Sequence, residues 1–515
     1  MELKLVASRV LHSLTPDVPT FFAALYTFGL SVVYRLFNLY YMKVFLNVFN
    51  LTQYWLNVSQ ILFLIWNALN DPVFGYMQDI AACGRPGRRC GWMSDRRKVI
   101  LYLCPFQVVS FMVAWFPWND GSLDYVVGIH LIVSLFLWDG FFSFLGSAFC
   151  GLFTEMTTEH EGRVRFVKYF QLSGLLASLV VFPINKISNS LEDFRAFQIC
   201  CGVSAGVGLV CMLIGSWKSP APAEDYTRNQ SKVAGDEPSP STVQQIKLTW
   251  KIMKQITINR DFMAVVLGNF VHILRIVASA NFLTIYTESL IPDSYLPLNS
   301  TGISLFYTAC SAVPSAAVVL ISPLASQFGA WSVINGSILL SVVACLLVFF
   351  IGRHNYPALL VFLLTDSILG QSTHSMHDIL FPDIITEDFK HYDRSSPLST
   401  MVFTMNALIT KPAHSLAPII STNLMNSNGS YDQWKQEDSR ALMSQQDKDA
   451  LLDTMFYLVC FFPMICAALQ CLFLLPYRLK FYHRNQNSRD FNLSQQSKPP
   501  PEKSERTEEI VVTGV

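Results

Sequence analysis

Three acids and three permanent bases stand inside otherwise apolar runs of the chain: Asp71, Asp139 and Asp366, with Arg35, Arg275 and Lys411. A charge at that depth costs at least about 2.5–3.5 kcal/mol on insertion scales, so each must face a partner or a polar cavity. Asp71 lies in WNALNDPVFGYMQD, with Asn67 one helical turn earlier and Asn70 beside it. Oxygen ligands converging in this way suit a hard cation such as sodium, and Pro72 adds a freed carbonyl near Ala68. The alternative is a structural Asp71 paired with an Arg or Lys of a neighbouring helix. Asp139, in LFLWDGFFSFLG, either lines a cavity among aromatic faces or makes a helix-packing bond. Lys411, in MNALITKPAHSLAP, must pair with a carboxylate or lose its proton, and Asp71 or Asp139 could meet it across the molecule. His374, His377 and Asp378 have metal-ligand spacing, but they lie near a span end. There a solvated gate contact is the preferred reading, and no metal site is expected.

The elements that carry these groups follow from composition. Of 515 residues 51% are apolar and only 14% charged, where soluble domains average about 25% charged, so the bilayer is the expected solvent. Runs of about 20 apolar residues predict twelve spanning helices, at 19–44, 55–78, 99–117, 125–153, 166–185, 197–216, 262–287, 302–324, 332–351, 357–381, 399–425 and 454–476. The first starts after about 18 residues without a small-residue cleavage site and is expected to be retained.

Lys and Arg distribution predicts orientation. With both termini cytoplasmic, the inner segments hold roughly 27 of the 37 basic residues and the outer loops roughly 6. Asn50, Asn57, Asn299 and Asn428 head Asn-x-Ser/Thr triplets in or beside loops placed outside, as glycosylation requires.

The division predicted is a six-helix half over 1–216, a cytoplasmic loop over 217–261, a second six-helix half over 262–476 and a disordered tail over 477–515. In the loop, Ile246, Trp250, Met253 and Ile256 share one face and Lys247, Lys251 and Lys254 another, which predicts an interfacial helix. The polar 426–453 loop is expected to carry a short helix at SRALMSQQDKDALL. The 12 Cys show no disulfide framework or zinc spacing, and no nucleophile elbow or phosphate loop occurs, so no enzyme is expected. The expected partners are the lipid bilayer and a small solute of unknown identity, with no nucleic acid, no bound cofactor and a monomeric protein.

Two halves joined by a long cytoplasmic loop suit the major facilitator architecture, an all-α membrane fold whose substrate sits between the halves. WNALNDPVFGYMQD resembles the second-helix signature D-P-x-x-G-x-x-x-D of the glycoside-pentoside-hexuronide:cation symporters, a melibiose-carrier-like branch of that superfamily. LYYMKVF, WDGFFSF and FPDIITEDFKHYDR agree in order, the last resembling the family's acidic loop. Within that branch NALNDPVFGYMQD, LWDGFF and ITKPAHSLAP are similar to the vertebrate transmembrane protein 180 family, which implies an orphan transporter-like protein of the plasma membrane. The resemblance implies that Asp71 is one of two helix-two carboxylates of a cation site, Asn67 standing where the other would be. It matches Asp139 to a helix-four carboxylate and Lys411 to a helix-eleven lysine. The chain departs from the pattern at the sugar-binding carboxylate, whose position falls at Thr27 or a neighbour, and at the helix-five arginine, absent from YFQLSGLLASL.

These readings together predict a secondary active transporter coupled to sodium or a proton. Asp71, Asn67 and Asn70 would bind the ion, while Asp139, Lys411, Arg275, Asp366 and Arg35 would form the substrate or charge network. Asp79, Arg96, Arg97, Lys98, Asp383 and Arg394 would make a cytoplasmic gate. A lipid-type carrier of the same fold and a non-transporting receptor or scaffold are the alternatives.

Overall fold

In a bilayer the backbone must satisfy its own hydrogen bonds, so apolar runs of this length become helices. The computed structural model describes residues 18–82, 95–118, 123–156, 160–218, 242–392, 399–427 and 430–479, and among these it contains helices and no strand. The first six spans are α1 (Val18–Lys43, continued by a π turn at Val44–Val48), α2 (Gln53–Ala82), α3 (Arg96–Val113), α4 (Asp124–Met156), α5 (His160–Ser178) with α6 (Val181–Ile187), and α7 (Phe194–Lys218). After α8 (Thr242–Ile258) come α9 (Arg260–Leu290), α10 (Thr301–Phe328), α11 (Ala330–Ile351), α12 (Tyr356–His391), α13 (Ser399–Thr410) with α14 (Pro412–Met425), the short α15 (Ser430–Lys435) and α16 (Glu437–Leu442), and α17 (Gln445–Leu474). Side-chain caps fix several starts: Asn259 accepts from the Asp261 and Phe262 amides, Ser300 from Ile303 and Asn355 from Ala358.

Two predicted spans are broken. Pro412 cannot donate to the carbonyl one turn back, and the eleventh span divides with Lys411 at the junction. In the fifth, tight bonds from the Leu179 and Val180 amides to the carbonyls of Leu176 and Ala177 precede Pro183 and separate α5 from α6.

Three sequence readings are corrected. The stretch expected as an acidic loop is helical, since α12 runs to His391 with Asp383 and Asp388 buried. Residues 445–453 open the last span rather than forming a loop helix, because Ser444 caps that helix through the Asp447 amide. On α8, Ile256 is buried and Ile252 and Met253 pack beside it, whereas Trp250 is exposed.

Packing repeats between the two sets of six. The pairs α1 with α7, α2 with α4, α3 with α4 and α3 with α7 recur as α9 with α17, α10 with α12, α11 with α12 and α11 with α17. This is the two-half architecture of the major facilitator fold. Among the described residues, eight helices are long and apolar enough to cross a membrane by length and composition. In α11 the exposed Leu339, Leu347 and Phe350 present apolar surface that only lipid would cover well.

The α1–α7 crossing depends on missing side chains. A Cβ on Gly29 would collide with the Gly208 carbonyl oxygen, and one on Gly215 would lie 2.6 Å from the Phe22 carbonyl oxygen. Small residues let helices approach closely where lipid supplies no hydrophobic drive between them.

A dense set of bonds joins the halves at the end where α1 finishes, here termed the Lys43 end. Lys43 Nζ donates to Glu288 and to the Ser190 carbonyl, both at 2.6 Å, and Tyr307 donates to Glu288 at 3.0 Å. Asn189, Ser190 and Leu191 all have positive φ, a strained turn that presents this carbonyl. Gln53 bonds Thr422, Asn57 bonds Asn423, and Asn185 bonds Ser304 across the same boundary. The α15 segment covers this end, with Tyr431 donating to Asn47 and buried Lys435 donating to the Leu51 carbonyl.

Candidate functional site at the middle of the bundle

With α1 counted through its π turn to Val48, Arg35, Asn70, Asp139, Arg275, Ser315, Gln371 and Lys411 each lie 13 to 17 residues from the Lys43 end of their helices, roughly 20–25 Å at about 1.5 Å per residue. They therefore share one depth, about halfway along helices that overhang a hydrocarbon core about 30 Å thick.

The first group centres on Asp139 of α4. Asn70 of α2 donates its amide nitrogen to Asp139 Oδ2. Asn67, with its amide turned so that nitrogen faces the carboxylate, donates to both oxygens at 2.8 and 3.2 Å. From the other half Lys411 Nζ lies 3.8 Å from Asp139, donates to Ser143 Oγ at 2.9 Å and reaches Asn70 Oδ1 at 3.4 Å. The break before Pro412 places the lysine here. An ammonium with three donors on a flexible four-carbon stem can bridge a carboxylate, a hydroxyl and an amide oxygen at once. Asp139 and Lys411 retain 14% and 20% of their side-chain exposure, so solvent or a small ligand reaches them.

This arrangement alters the expected roles. Asn67 and Asn70 were read as oxygen ligands grouped with Asp71; here their nitrogens serve Asp139 instead. The backbone of Asp71 continues α2 one residue past Asn70, and its side chain lies outside the described residues, as does that of Asp79.

The second group is Arg275 of α9 with Asp366 of α12. Arg275 Nη2 and Nε, the latter at 3.2 Å, both engage Asp366 Oδ1, and Ser279 donates to Oδ2 at 2.6 Å. Both partners are buried and belong to the same half, beside a recess with about 20 Å³ open to the centre of a water molecule. That is about one water's room, so the pair reads as an internal brace. In the third group Arg35 of α1 reaches across to α12 and α10, donating to Gln371 Oε1 and Ser315 Oγ at 3.0 Å each.

Other predicted positions fall elsewhere. Thr27 bonds the Ala23 and Ala24 carbonyls of its own helix. His377 is fully buried, not solvated: Gln470 lies 3.0 Å from its Nε2, and its ring stands 4.5 Å from that of His272. Among the gate residues, Arg97 pairs with Asp95 at 3.3 Å, Arg96 is half-buried, Lys98 exposed and Asp383 buried, while Arg394 lies outside the described residues. Asn50 and Asn299 are exposed; Asn57 sits within α2 bonded to Asn423, and Asn428 lies outside the described residues.

Sequence reading missed Ser143, Ser315, Gln371, Ser279 and the pair Lys43–Glu288. Ser143 could have been found, since it follows Asp139 by four residues and so shares its helical face. Lys43 and Glu288 stand at span ends, where charges are ordinary, and no local pattern marks them.

The family model for MFS/sugar transport proteins matches residues 22–480. The chain belongs to the MFS/sugar transport protein family. This member of the family is 25% identical to Transmembrane protein 180 of Gallus gallus over 86% of its own length and 89% of the relative's. It is 26% identical to the Mus musculus protein of that name over 85% and 88%. Solved structures with the same fold include the D-xylose-proton symporter, with a TM-score of 0.56, 14% identity and 90% and 98% of the two chains covered. A bacterial homolog of the human lysosomal transporter Spinster, in an inward-facing and unoccupied conformation, gives a TM-score of 0.55 at 12% identity, covering 89% and 96%. As a member of this family the chain is a multi-pass membrane protein with a transporter fold.

Proposed function

We propose that this protein is a secondary active transporter of a small organic solute, coupled to a cation, in which the two halves rock about the mid-membrane charge network. The observation that carries this reading is Lys411 of one half reaching Asp139, Ser143 and Asn70 of the other. A lone ammonium held over a carboxylate occupies the place a coupling cation would take. Binding of sodium or a proton at the carboxylates of α2 and α4, Asp71 and Asp139, then competes with Lys411 and loosens the tie between halves. Transport needs such a bistable contact, because a ligand shifts an equilibrium only by its differential affinity for the two states. The sugar-transport family, and the proton symport named for a protein of like fold, support a solute of this size and an ion of this kind. The bias of basic residues and the exposed triplets at Asn50 and Asn299 support an orientation with both termini cytoplasmic.

The test is uptake by purified protein in liposomes, across sugars, amino acids and lysolipids, with sodium or proton gradients imposed. Asp139→Asn, Asp71→Asn and Lys411→Ala should each abolish gradient-driven accumulation. Accumulation unchanged in all three would overturn the reading, as would the absence of any uptake together with thermal stability indifferent to every solute and to sodium.

A further inference from the structure

Arg35 differs from the other charges at mid-depth. Lys411 has Asp139 and Arg275 has Asp366, whereas among the described residues the two partners of Arg35, Gln371 and Ser315, are both neutral. A guanidinium keeps its proton at any physiological pH, so the charge cannot be shed as a lysine's can. A permanent cation at that depth, held by one amide oxygen and one hydroxyl, has its geometry fixed and no carboxylate beside it among the described residues. The sixth charge, Asp71, lies on α2, the helix that supplies Asn67 and Asn70 to the Asp139 group.

We propose that Arg35, with Gln371 and Ser315, is a recognition site for an oxyanion on the transported solute, a carboxylate or a phosphate or sulfate ester. This rests on the transporter reading above and names the chemical class of its substrate.

Two of the five N–H donors of the guanidinium are used, which leaves three for a planar or tetrahedral oxyanion. The Gln371 side chain, an acceptor toward Arg35, keeps an amide nitrogen as a further donor. Gly174 of α5 stands against this group: a Cβ there would lie 3.9 Å from both Arg35 Nη2 and Ser315 Oγ, in ordinary contact, so any larger side chain would press on the guanidinium. Arg35 comes from one half, and Gln371 and Ser315 from the other. An oxyanion bound here therefore touches both moving parts, as a transported ligand must if its binding is to shift their equilibrium. The second arginine at this depth is no competitor, because Asp366, itself held by Ser279, already engages it.

The experiment is thermal stability of the full-length protein in neutral detergent against matched probes: benzoate against benzyl alcohol, glycerol 3-phosphate against glycerol, and lysophosphatidate against monoacylglycerol. At least one anion should raise Tm where its neutral counterpart does not. Arg35→Gln should weaken that anion at least tenfold, and Arg35→Lys should keep part of the effect. A response to lysophosphatidate alone assigns the oxyanion to a lipid headgroup; one to benzoate or glycerol 3-phosphate assigns it to a free solute. If Arg35→Gln does not fold, Gly174→Val, which crowds the guanidinium while keeping its charge, should lose the response to the anion. Anions indistinguishable from their neutral counterparts, or a folded Arg35→Gln that binds the anion as wild type does, would overturn the site. Liposome uptake of a neutral solute that needs Asp139 and Lys411 but survives Arg35→Gln would overturn it too, and would leave the transporter reading standing.

Discussion

Lys411 and Asp139 share a few half-buried polar atoms, and the energetic question is which of them can be left alone. Removing the lysine leaves a carboxylate with two amide donors in a low-dielectric site. Breaking a fully buried pair costs about 3–5 kcal/mol, and the residual exposure here should reduce that to about 1–2 kcal/mol for Lys411→Ala. Combining Lys411→Ala with Asp139→Asn removes both charges and should return thermal stability to within about 0.5 kcal/mol of wild type while leaving transport dead. Thermal unfolding and liposome flux of the two single variants and the double variant check this cycle; a double variant as unstable as Lys411→Ala would argue against the pairing. The Arg275–Asp366 brace predicts a different pattern. Its partners are buried in one half, so Arg275→Leu alone should cost about 3–5 kcal/mol, and Arg275→Leu with Asp366→Leu should recover most of it. At this scale the sequence was half legible. It showed that six charges need partners, and the chemistry of Lys411 pointed to an acid across the molecule. It did not show which way the Asn67 and Asn70 amides face, because an amide offers oxygen to a cation and nitrogen to a carboxylate with equal ease. Only the position of Asp139 decides between them.

The helices themselves were legible because apolar run length and span length are fixed by the same hydrocarbon thickness. What escaped was where a helix stops or breaks. Pro412 was visible as a breaker, but Pro382 is carried inside α12 without ending it, and that extension packs into the fold through buried Phe381, Ile384 and Ile385 together with Asp383 and Asp388. The glycines of α1 and α7 were likewise ambiguous, since glycine is common in membrane helices whether or not it packs. The structure separates them. Gly29→Ala drives a methyl group into the backbone of Gly208 and should destabilise by about 1–3 kcal/mol, with loss of monodisperse protein in detergent chromatography. Gly206→Ala, at a position where a Cβ meets nothing within 4 Å, should behave as wild type. Equal behaviour of the two variants would contradict the close crossing of α1 and α7.

Across the whole molecule the bonds between halves decide which conformation this is. Lys43–Glu288, Gln53–Thr422 and Asn57–Asn423 each join one half to the other at the Lys43 end, and the α15 segment lies over the same boundary. Nothing local in the sequence could have revealed this, because a transporter chain encodes at least two packings and its composition is common to both. Glu288 is held by both Lys43 and Tyr307, so neutralising the ion pair should favour separation of the halves at this end. The measurement is cross-linking of Asn57→Cys with Asn423→Cys by a short bifunctional thiol reagent in membranes. Those side chains approach to 3.2 Å, so the link should form readily and should stop transport by locking the halves. Adding Lys43→Gln and Glu288→Gln should lower its yield several-fold, and the exchanged pair Lys43→Glu with Glu288→Lys should restore much of it, since the charge product is unchanged. A yield indifferent to all of these substitutions would mean that the ion pair only decorates a boundary held shut by packing.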